Sequence, residues 1–319
     1  VLSMNHRSEG FMQLIADLKE VLHARLDIPQ DYHILFTSSA TESWEIIAQS
    51  LTLRQSQHFY NGAFGEKWHT RAMALVETLA TPFDLNEPLP VEKVSDADVI
   101  CATQNETSNG SQVRMDVLQS LRKSTDQLIA VDVTSSMGGI HLDFSLADVW
   151  FASVQKCFGL PAGLGILVLS PTAVERAKEI GDKRRYNSLL TMIENWDKNQ
   201  SPFTPNVLGL YLLLRSQQKA KHISDIRQKL MIRFHLWEEF ISEFPGLQLL
   251  PSRPDLRSTT VLTVKCGDPA AILEKGEELE ISLGKGYGEW KSSTFRIANF
   301  PAIKRKEIDK AMKFLRKFS

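Results

Sequence analysis

Short apolar runs separated by amphipathic stretches dominate the first two thirds of the chain. The runs at 33–37, 128–131, 149–154 and 164–169 are rich in Val, Ile, Leu and Phe, which predicts buried strands. From Phe11 onward, apolar residues recur at helical spacing, which predicts an amphipathic helix. The other segments predicted here are a strand at 96–103, a helix that ends near 53 and a helix at 207–214.

The last third of the chain has the pattern of a smaller lobe. Residues 220–244 are predicted to form a long helix that leads into it. The elements predicted for the lobe are a strand at 259–265, a helix at 269–275, strands at 279–283 and 295–298, and a helix at 302–318.

Composition excludes several kinds of partner. The 319 residues are 43% hydrophobic with a net charge of −1, which suits a sizeable core but no nucleic-acid or anionic-membrane surface. No apolar run approaches the length that crosses a bilayer. Cys101, Cys157 and Cys266 are widely spaced, match no zinc pattern and suit a reducing compartment. We therefore expect a cytoplasmic protein, without a signal peptide, that binds no metal.

One lysine has an unusual setting. Lys156 follows the apolar run at 149–154 and precedes a turn rich in Gly and Pro. Loss of water there would lower the pKa of its amine and make it a nucleophile for a carbonyl group. The alternative, which this stretch alone favours, is a lysine whose stem lies along the strand and whose ammonium group reaches water.

A carboxylate stands in the equivalent place one strand earlier. Asp132 ends the run at 128–131 and is followed by small residues. In pyridoxal phosphate sites a lysine holds the cofactor and an acid keeps the pyridine nitrogen protonated. Asp132 alone is also explained as a turn residue at a strand end, but its pairing with Lys156 favours the cofactor site.

A turn of small residues follows the first predicted strand. Ser39, Ala40 and Thr41 open a helix there, and helix N-termini bind phosphate. An ordinary capping box of Ser39 with Glu42 is the more frequent explanation. No Gly-x-Gly-x-x-Gly motif occurs, which argues against a dinucleotide.

These motifs resemble a known family. The run 131–136 (Val-Asp-x-x-Ser-Ser) together with the run 153–163 (Ser-Val-Gln-Lys-x-x-Gly-x-x-Ala-Gly) is similar to fold type I, class V aminotransferases, and among them to phosphoserine aminotransferases. The resemblance implies an α/β fold with a large three-layer α/β/α domain, built on a mostly parallel sheet, at 9–219. It also implies a smaller α+β domain at 220–319, with residues 1–8 near the active site.

The resemblance further implies pyridoxal 5′-phosphate as cofactor. Lys156 would carry it and move the substrate's α-proton, and Asp132 would hold the ring nitrogen protonated. Phe64 would stack on the ring, Thr107 would bind its phenolic oxygen, and Thr204 would contact the cofactor phosphate of a partner subunit. The residues implied to bind the cofactor are Ser39, Ala40, Thr41, Phe64, Thr107, Asp132, Gln155, Lys156 and Thr204.

Three residues are implied to bind substrate in a homodimer with shared active sites. His6 and Arg7 match a pair that reaches across the dimer to the substrate phosphate, and Arg296 matches the arginine that clamps the α-carboxylate. Judged from the residues alone, His6 and Arg7 form a solvated entry to a helix. Arg296 interrupts an apolar strand and would need an anion, or an internal salt bridge as the alternative.

The sequence departs from phosphoserine aminotransferases at several points. Gly286, Tyr287 and Gly288 stand where the family has Gly-His-Arg, so half of the phosphate pocket is not found in the sequence. Phe203 stands where Asn usually precedes the threonine equivalent to Thr204. A Gly-Pro segment that usually lines the substrate site does not occur before His6.

The implied function is amino-group exchange between an amino acid and a 2-oxo acid, with phosphoserine and 2-oxoglutarate as first choice and serine biosynthesis as its setting. The alternatives are another class V activity, such as alanine– or serine–glyoxylate transamination, or a non-catalytic binding protein of the same fold. A cysteine desulfurase is disfavoured, because none of the cysteines lies in a recognisable catalytic loop.

Overall fold

The computed structural model describes residues 4–318. The helices are α1 (Glu9–Leu26), α2 (Ala40–Leu51), α3 (Ala63–Ala72), α4 (Met115–Ser124), α5 (Pro171–Ile180), α6 (Leu189–Trp196), α7 (Val207–Lys219), α8 (Ile223–Ser242), α9 (Pro269–Glu278) and α10 (Arg305–Leu315). The strands are β1 (His33–Thr37), β2 (Gln55–Tyr60), β3 (Glu77–Pro82), β4 (Val99–Thr103), β5 (Asn105–Glu106), β6 (Ser111–Gln112), β7 (Leu128–Asp132), β8 (Val149–Ser153), β9 (Gly165–Leu169), β10 (Gln248–Leu249), β11 (Val261–Lys265), β12 (Gly284–Lys285) and β13 (Thr294–Ala298).

Seven strands of the described chain form a large sheet in the order β1-β9-β8-β7-β4-β2-β3. Within this sheet β9 is antiparallel to both of its neighbours, and the other strands share one direction. Helix α2 packs against α3, α5 and α6, and α1 packs against α7. The predicted α/β fold with a mostly parallel sheet is confirmed. The carboxyl ends of the parallel strands meet at one edge, where ligands bind in such sheets.

The central strands are apolar because helices cover the sheet. Every residue of β4, β7, β8 and β9 is buried. The strands predicted at 33–37, 128–131, 149–154 and 164–169 agree with the observed ones to within one residue at either end. The apolar runs in the sequence therefore predicted these four strands correctly.

The C-terminal part has a sheet and a core of its own. In the described residues, β10, β11, β13 and β12 form an antiparallel sheet. Its core includes Trp237, Phe240, Phe295 and Phe314, and is distinct from the core of the large sheet. The domain division between 219 and 220 stays a prediction.

The strand predicted at 279–283 is wrong. Glu280 has a left-handed backbone with φ 54°, and the Ile281 amide donates to the Gly276 carbonyl at 2.8 Å. The chain is therefore still closing the end of α9 where an apolar run suggested a strand. Pairing with β13 begins only at Gly284.

None of the helices within residues 4–318 is both long enough and apolar enough to cross a membrane.

Candidate active site

A cavity of about 610 Å³ opens at the carboxyl edge of the large sheet. Thr103 and Asp132, which end β4 and β7, are register partners, and Ser153 ends β8. Because parallel strands end at the same edge, three side chains far apart in sequence line one cavity. The lining residues that the sequence predicted are Ala40, Thr41, Phe64, Thr107, Asp132, Gln155 and Lys156.

Lys156 lies in the turn that joins β8 to β9, and its side chain is only partly exposed. The Gly159 amide donates to the Lys156 carbonyl at 3.0 Å, and Gly159 has φ 67°, a conformation that favours glycine. Burial lowers the pKa of the Lys156 amine below its ordinary value, and the nearby Arg296 guanidinium lowers it further. Both effects increase the fraction of free amine at neutral pH.

Asp132 is 5% exposed and lines the same cavity. Its Oδ1 accepts a hydrogen bond from the Thr134 amide at 2.8 Å. Burial raises the pKa of this carboxyl, while the Thr134 amide and the Lys156 charge oppose the shift. A cationic ligand group beside Asp132 would therefore relieve the cost of its buried charge.

The N-terminus of α2 forms another wall of the cavity. Ser39 caps the helix by accepting from the Glu42 amide at 3.3 Å, and the Ala40 amide donates to Ser153 Oγ at 2.8 Å. A side chain at Gly165 would collide with the Ser39 backbone, its Cβ lying 2.8 Å from the Ser39 carbonyl carbon. Glycine at this position lets α2 start directly against β9. Ala40 and Thr41 line the cavity, whereas Ser39 acts as the cap.

The sequence analysis did not single out Glu106, which stabilises the start of α3, where Phe64 lies. Glu106 is 1% exposed and accepts hydrogen bonds from the amides of Phe64, Gly65 and Ser108. It thereby satisfies N–H groups at the start of α3, whose N-cap Gly62 has no side chain to do so. The only signal was an acid within a polar loop, which is too common to interpret.

Arg296 enters the site from β13 of the small sheet. Its Nη1 donates to the Thr107 carbonyl at 3.0 Å and its Nε to the Lys285 carbonyl at 2.8 Å. Among the described residues no carboxylate lies within 4.0 Å of its guanidinium, so the salt-bridge alternative is not observed there. Two carbonyls, rather than an anion of the protein, stabilise this charge.

Tyr287, in the loop between β12 and β13, reaches the same region. Its ring stacks on that of Phe64, with centroids 5.1 Å apart and an angle of 18° between the planes. The Arg296 guanidinium lies 5.6 Å from the Tyr287 centroid. Tyr287 therefore packs against Phe64, one of the residues that line the cavity.

Comparison with known proteins agrees with this geometry. The family model "Aminotransferase class-V" matches residues 86–289. A phosphoserine aminotransferase of Corynebacterium glutamicum is 32% identical over 97% of this chain and 85% of its own length. The chain belongs to the class V aminotransferases.

Two solved structures show how far the likeness extends. A phosphoserine aminotransferase, SerC, from Cytophaga hutchinsonii has a TM-score of 0.94 at 31% identity, covering 99% of this chain and 91% of that one. An alanine–glyoxylate aminotransferase from Nostoc sp. has a TM-score of 0.85 at 17% identity, covering 99% and 89%. The second likeness shows the shared fold alone. This aminotransferase is an enzyme that uses pyridoxal 5′-phosphate to exchange amino groups between amino acids and oxo acids.

The residues of this aminotransferase fit that cofactor. Trp44, Thr103 and Thr134 also line the cavity. Among the described residues the buried Thr103 Oγ1 has no hydrogen-bond partner, whereas the Trp44 and Thr134 side chains lie close enough to Asp132 to lower its pKa. Unpaired buried polar groups are costly, and a polar ligand in the cavity would satisfy this one. Of the three, Thr103 could have been found from its place at a strand end.

The remaining predicted residues lie elsewhere in the single chain. His6 is partly exposed and Arg7 is exposed, and neither lines the 610 Å³ cavity. Thr204 is exposed and borders a second cavity of about 280 Å³ together with Ser38 and Phe203. The roles predicted for these three depend on a partner subunit and stay predictions.

Proposed function

We propose that this aminotransferase exchanges the amino group between phosphoserine and 2-oxoglutarate. The observation that carries the proposal is the similarity to phosphoserine aminotransferases over almost the whole chain at about one third identity. The alanine–glyoxylate enzyme shares the fold at much lower identity.

Lys156 and Asp132 are proposed as the catalytic residues. When bound, pyridoxal 5′-phosphate supplies a carbonyl carbon that takes up the amino group and a ring that withdraws electrons. The Nζ of Lys156 would hold that group in the resting enzyme and, once free, would move the proton from the substrate's Cα to the cofactor carbon that bears the amino group. The carboxylate of Asp132 keeps a proton on the ring nitrogen. Their shared cavity and the lowered pKa of Lys156 support both roles.

The other cavity residues are proposed to orient the cofactor. Ala40 and Thr41, with the cap residue Ser39, offer the start of α2 to its phosphate. Phe64 stacks on the ring, which contributes about 1 kcal/mol beyond its buried area and fixes the ring plane. Gln155 lies beside the lysine, and Thr107 bonds to Ser135 Oγ and is proposed to donate to the phenolic oxygen.

Substrate binding is proposed to need two subunits. Arg296 lies close enough to Lys156 to shift its pKa, which suits a clamp for the α-carboxylate of a substrate held at that lysine. His6 and Arg7 of a second copy would reach the substrate phosphate, and Thr204 of that copy would reach the cofactor phosphate. The homodimer is part of this proposal.

A second candidate is glyoxylate-dependent transamination of alanine or serine. The sequence at 286–288 favours it, since the phosphate-binding His-Arg expected there does not occur. Membership of an aminotransferase family supports either activity over the non-catalytic alternative.

A panel of amino donors separates the two candidates. The holoenzyme is assayed with phosphoserine, alanine, serine and glutamate against 2-oxoglutarate, pyruvate and glyoxylate. We expect the largest kcat/KM for phosphoserine with 2-oxoglutarate. Preference for alanine or serine with glyoxylate would replace the first candidate by the second.

A further inference from the structure

Two basic residues of α3 line the cofactor cavity and have no role in the proposals above. Lys67 and Arg71 are four residues apart, so they lie on one face of the helix. Both are exposed, and among the described residues neither has a carboxylate within 4.0 Å. A positive charge that has no counterion is stabilised when an anion binds beside it.

Tyr287 joins this pair to Arg296. Lys67 Nζ lies 4.6 Å from the centroid of the Tyr287 ring and donates to its hydroxyl. Arg296 lies near the same ring, which is stacked on Phe64. A Cβ at Gly286 would lie 2.6 Å from the Thr294 carbonyl oxygen, so the close packing of this loop against the start of β13 requires glycine there. The loop thus sets Tyr287 between cations from two lobes.

Glu66 also lines the cavity and places a negative charge in the same lining as Lys67 and Arg71. Burial raises the pKa of Tyr60 and the Glu66 carboxylate adds to that shift, whereas burial lowers the pKa of His69 and the same carboxylate opposes it. Both belong to the β2 side of α3, whereas Lys67 contacts Tyr287. The charge beside Tyr287 is therefore positive.

We propose that Lys67, Arg71 and Tyr287 form a subsite that binds the acidic side chain of the substrate together with His6 and Arg7 of a second copy, while Arg296 takes the α-carboxylate. The ligand chemistry is a phosphate or carboxylate oxyanion carried on the side chain of an amino or 2-oxo acid. The lysine supplies a mobile charge, the arginine a planar pair of donors and the phenol a neutral donor. This assignment deepens the proposed function and rests on it for the phosphate.

The test uses the holoenzymes of Lys67→Met, Arg71→Met and Tyr287→Phe. Lys123→Met is the matched control, an exposed lysine on α4 outside the cavity. For each variant, kcat and KM are measured with phosphoserine, glutamate and alanine. Dissociation constants come from titrating the visible absorbance of the bound cofactor with phosphoserine. A melting curve checks that each variant is folded. Because Lys67 and Arg71 are exposed, we expect both variants to fold, and one folded variant is sufficient for the test.

We expect KM and the dissociation constant for phosphoserine to rise about 10- to 100-fold in Lys67→Met and Arg71→Met, the scale of a hydrogen bond to a charged group. Alanine should be used as before, and Lys67→Arg should recover much of the loss. Equal losses for phosphoserine and alanine, or no loss for phosphoserine, would overturn the subsite while leaving the proposed function intact.

The same measurements show whether the subsite binds the phosphate of phosphoserine or the side-chain carboxylate of glutamate. If the unmodified enzyme ignores phosphoserine but uses glutamate, and Lys67→Met raises the KM for glutamate, the subsite stands and the proposed phosphoserine activity falls. An enzyme that prefers alanine to both acidic donors would overturn the subsite.

Discussion

The sheet edge proposed to hold the cofactor and the neighbouring region proposed to bind substrate are built differently. Asp132 and Ser153 end adjacent strands of one sheet and are buried. The exposed Lys67 lies on α3, beside the large sheet. Tyr287 and Arg296 lie in the loop before β13 and in β13 itself, which belongs to the small sheet. A sheet edge fixes its side chains to each other, whereas the neighbouring region depends on how two lobes meet. Chemistry is therefore expected to be sensitive to the first region, and specificity to the second.

Two buried carboxylates, Glu106 and Asp132, differ in what they bind. Glu106 accepts hydrogen bonds through both oxygens and holds the start of α3. Asp132 accepts through Oδ1 from Thr134 and lines the cavity. Burial raises the pKa of both, so the partners, not the burial, distinguish a scaffold acid from one that faces a ligand.

The largest effect is expected from Lys156→Ala. Loss of the amine removes both the covalent attachment and the proton carrier, so turnover should fall by more than about 10⁴-fold. The variant should lose the visible band of the lysine-bound cofactor and give no borohydride-stable adduct in mass spectrometry. A small primary amine added to the assay should restore part of the turnover. Turnover close to that of the unmodified enzyme would remove Lys156 from the mechanism.

Asp132→Asn should come next. The amide cannot hold a proton on the ring nitrogen, so kcat should fall by about 10²- to 10⁴-fold while the protein stays folded. Cofactor content and single-turnover rates check this. An unchanged kcat would show that the buried charge has no part in the chemistry.

Glu106→Gln should show the opposite behaviour. An amide NH₂ would face N–H donors of α3, which should lower the free energy of unfolding by about 1–3 kcal/mol. In the refolded holoenzyme, kcat should change far less than in Asp132→Asn. Denaturant titration measures the loss, with the exposed Glu92→Gln as control. Equal stability of the two variants would contradict the scaffold role.

The smallest expected effect is a change in the pH dependence of cofactor attachment to Lys156. The pKa of Lys156 in the folded apoprotein is below its ordinary 10.5, so cofactor attachment should speed up as pH rises and reach its plateau below pH 10.5. Because the folded protein holds this proton less tightly than the unfolded chain, stability should also rise with pH across that window.

Arg296→Ala removes a positive charge that lowers this pKa, so the plateau should move to higher pH. Stopped-flow absorbance against pH, with Lys123→Met as control, measures both profiles. A plateau that stays in place would show that Arg296 does not act on the amine.

The presence of Lys156 and Asp132 in one cavity could be predicted because both residues follow recognisable patterns. Lys156 and Asp132 each follow a short apolar run, and the ends of parallel strands meet by geometry alone. Phe64 and Thr107 needed the family resemblance, because an aromatic and a loop threonine carry no signal of their own. Lys67 and Arg71 were missed, since exposed basic residues on a helix are ordinary. The strand predicted at 279–283 failed because hydrophobicity alone cannot show that Glu280 turns the chain.

The sequence by itself determined which segments are buried strands and which two ionisable residues stand at their ends, because both follow from local periodicity and from glycine-rich turns. Only the tertiary structure decided that Arg296 bonds to the Thr107 carbonyl and that Tyr287 lies on Phe64 beside Lys67. These contacts join residues from separate sheets, and their distances depend on how the lobes pack. No local pattern in the chain records that packing.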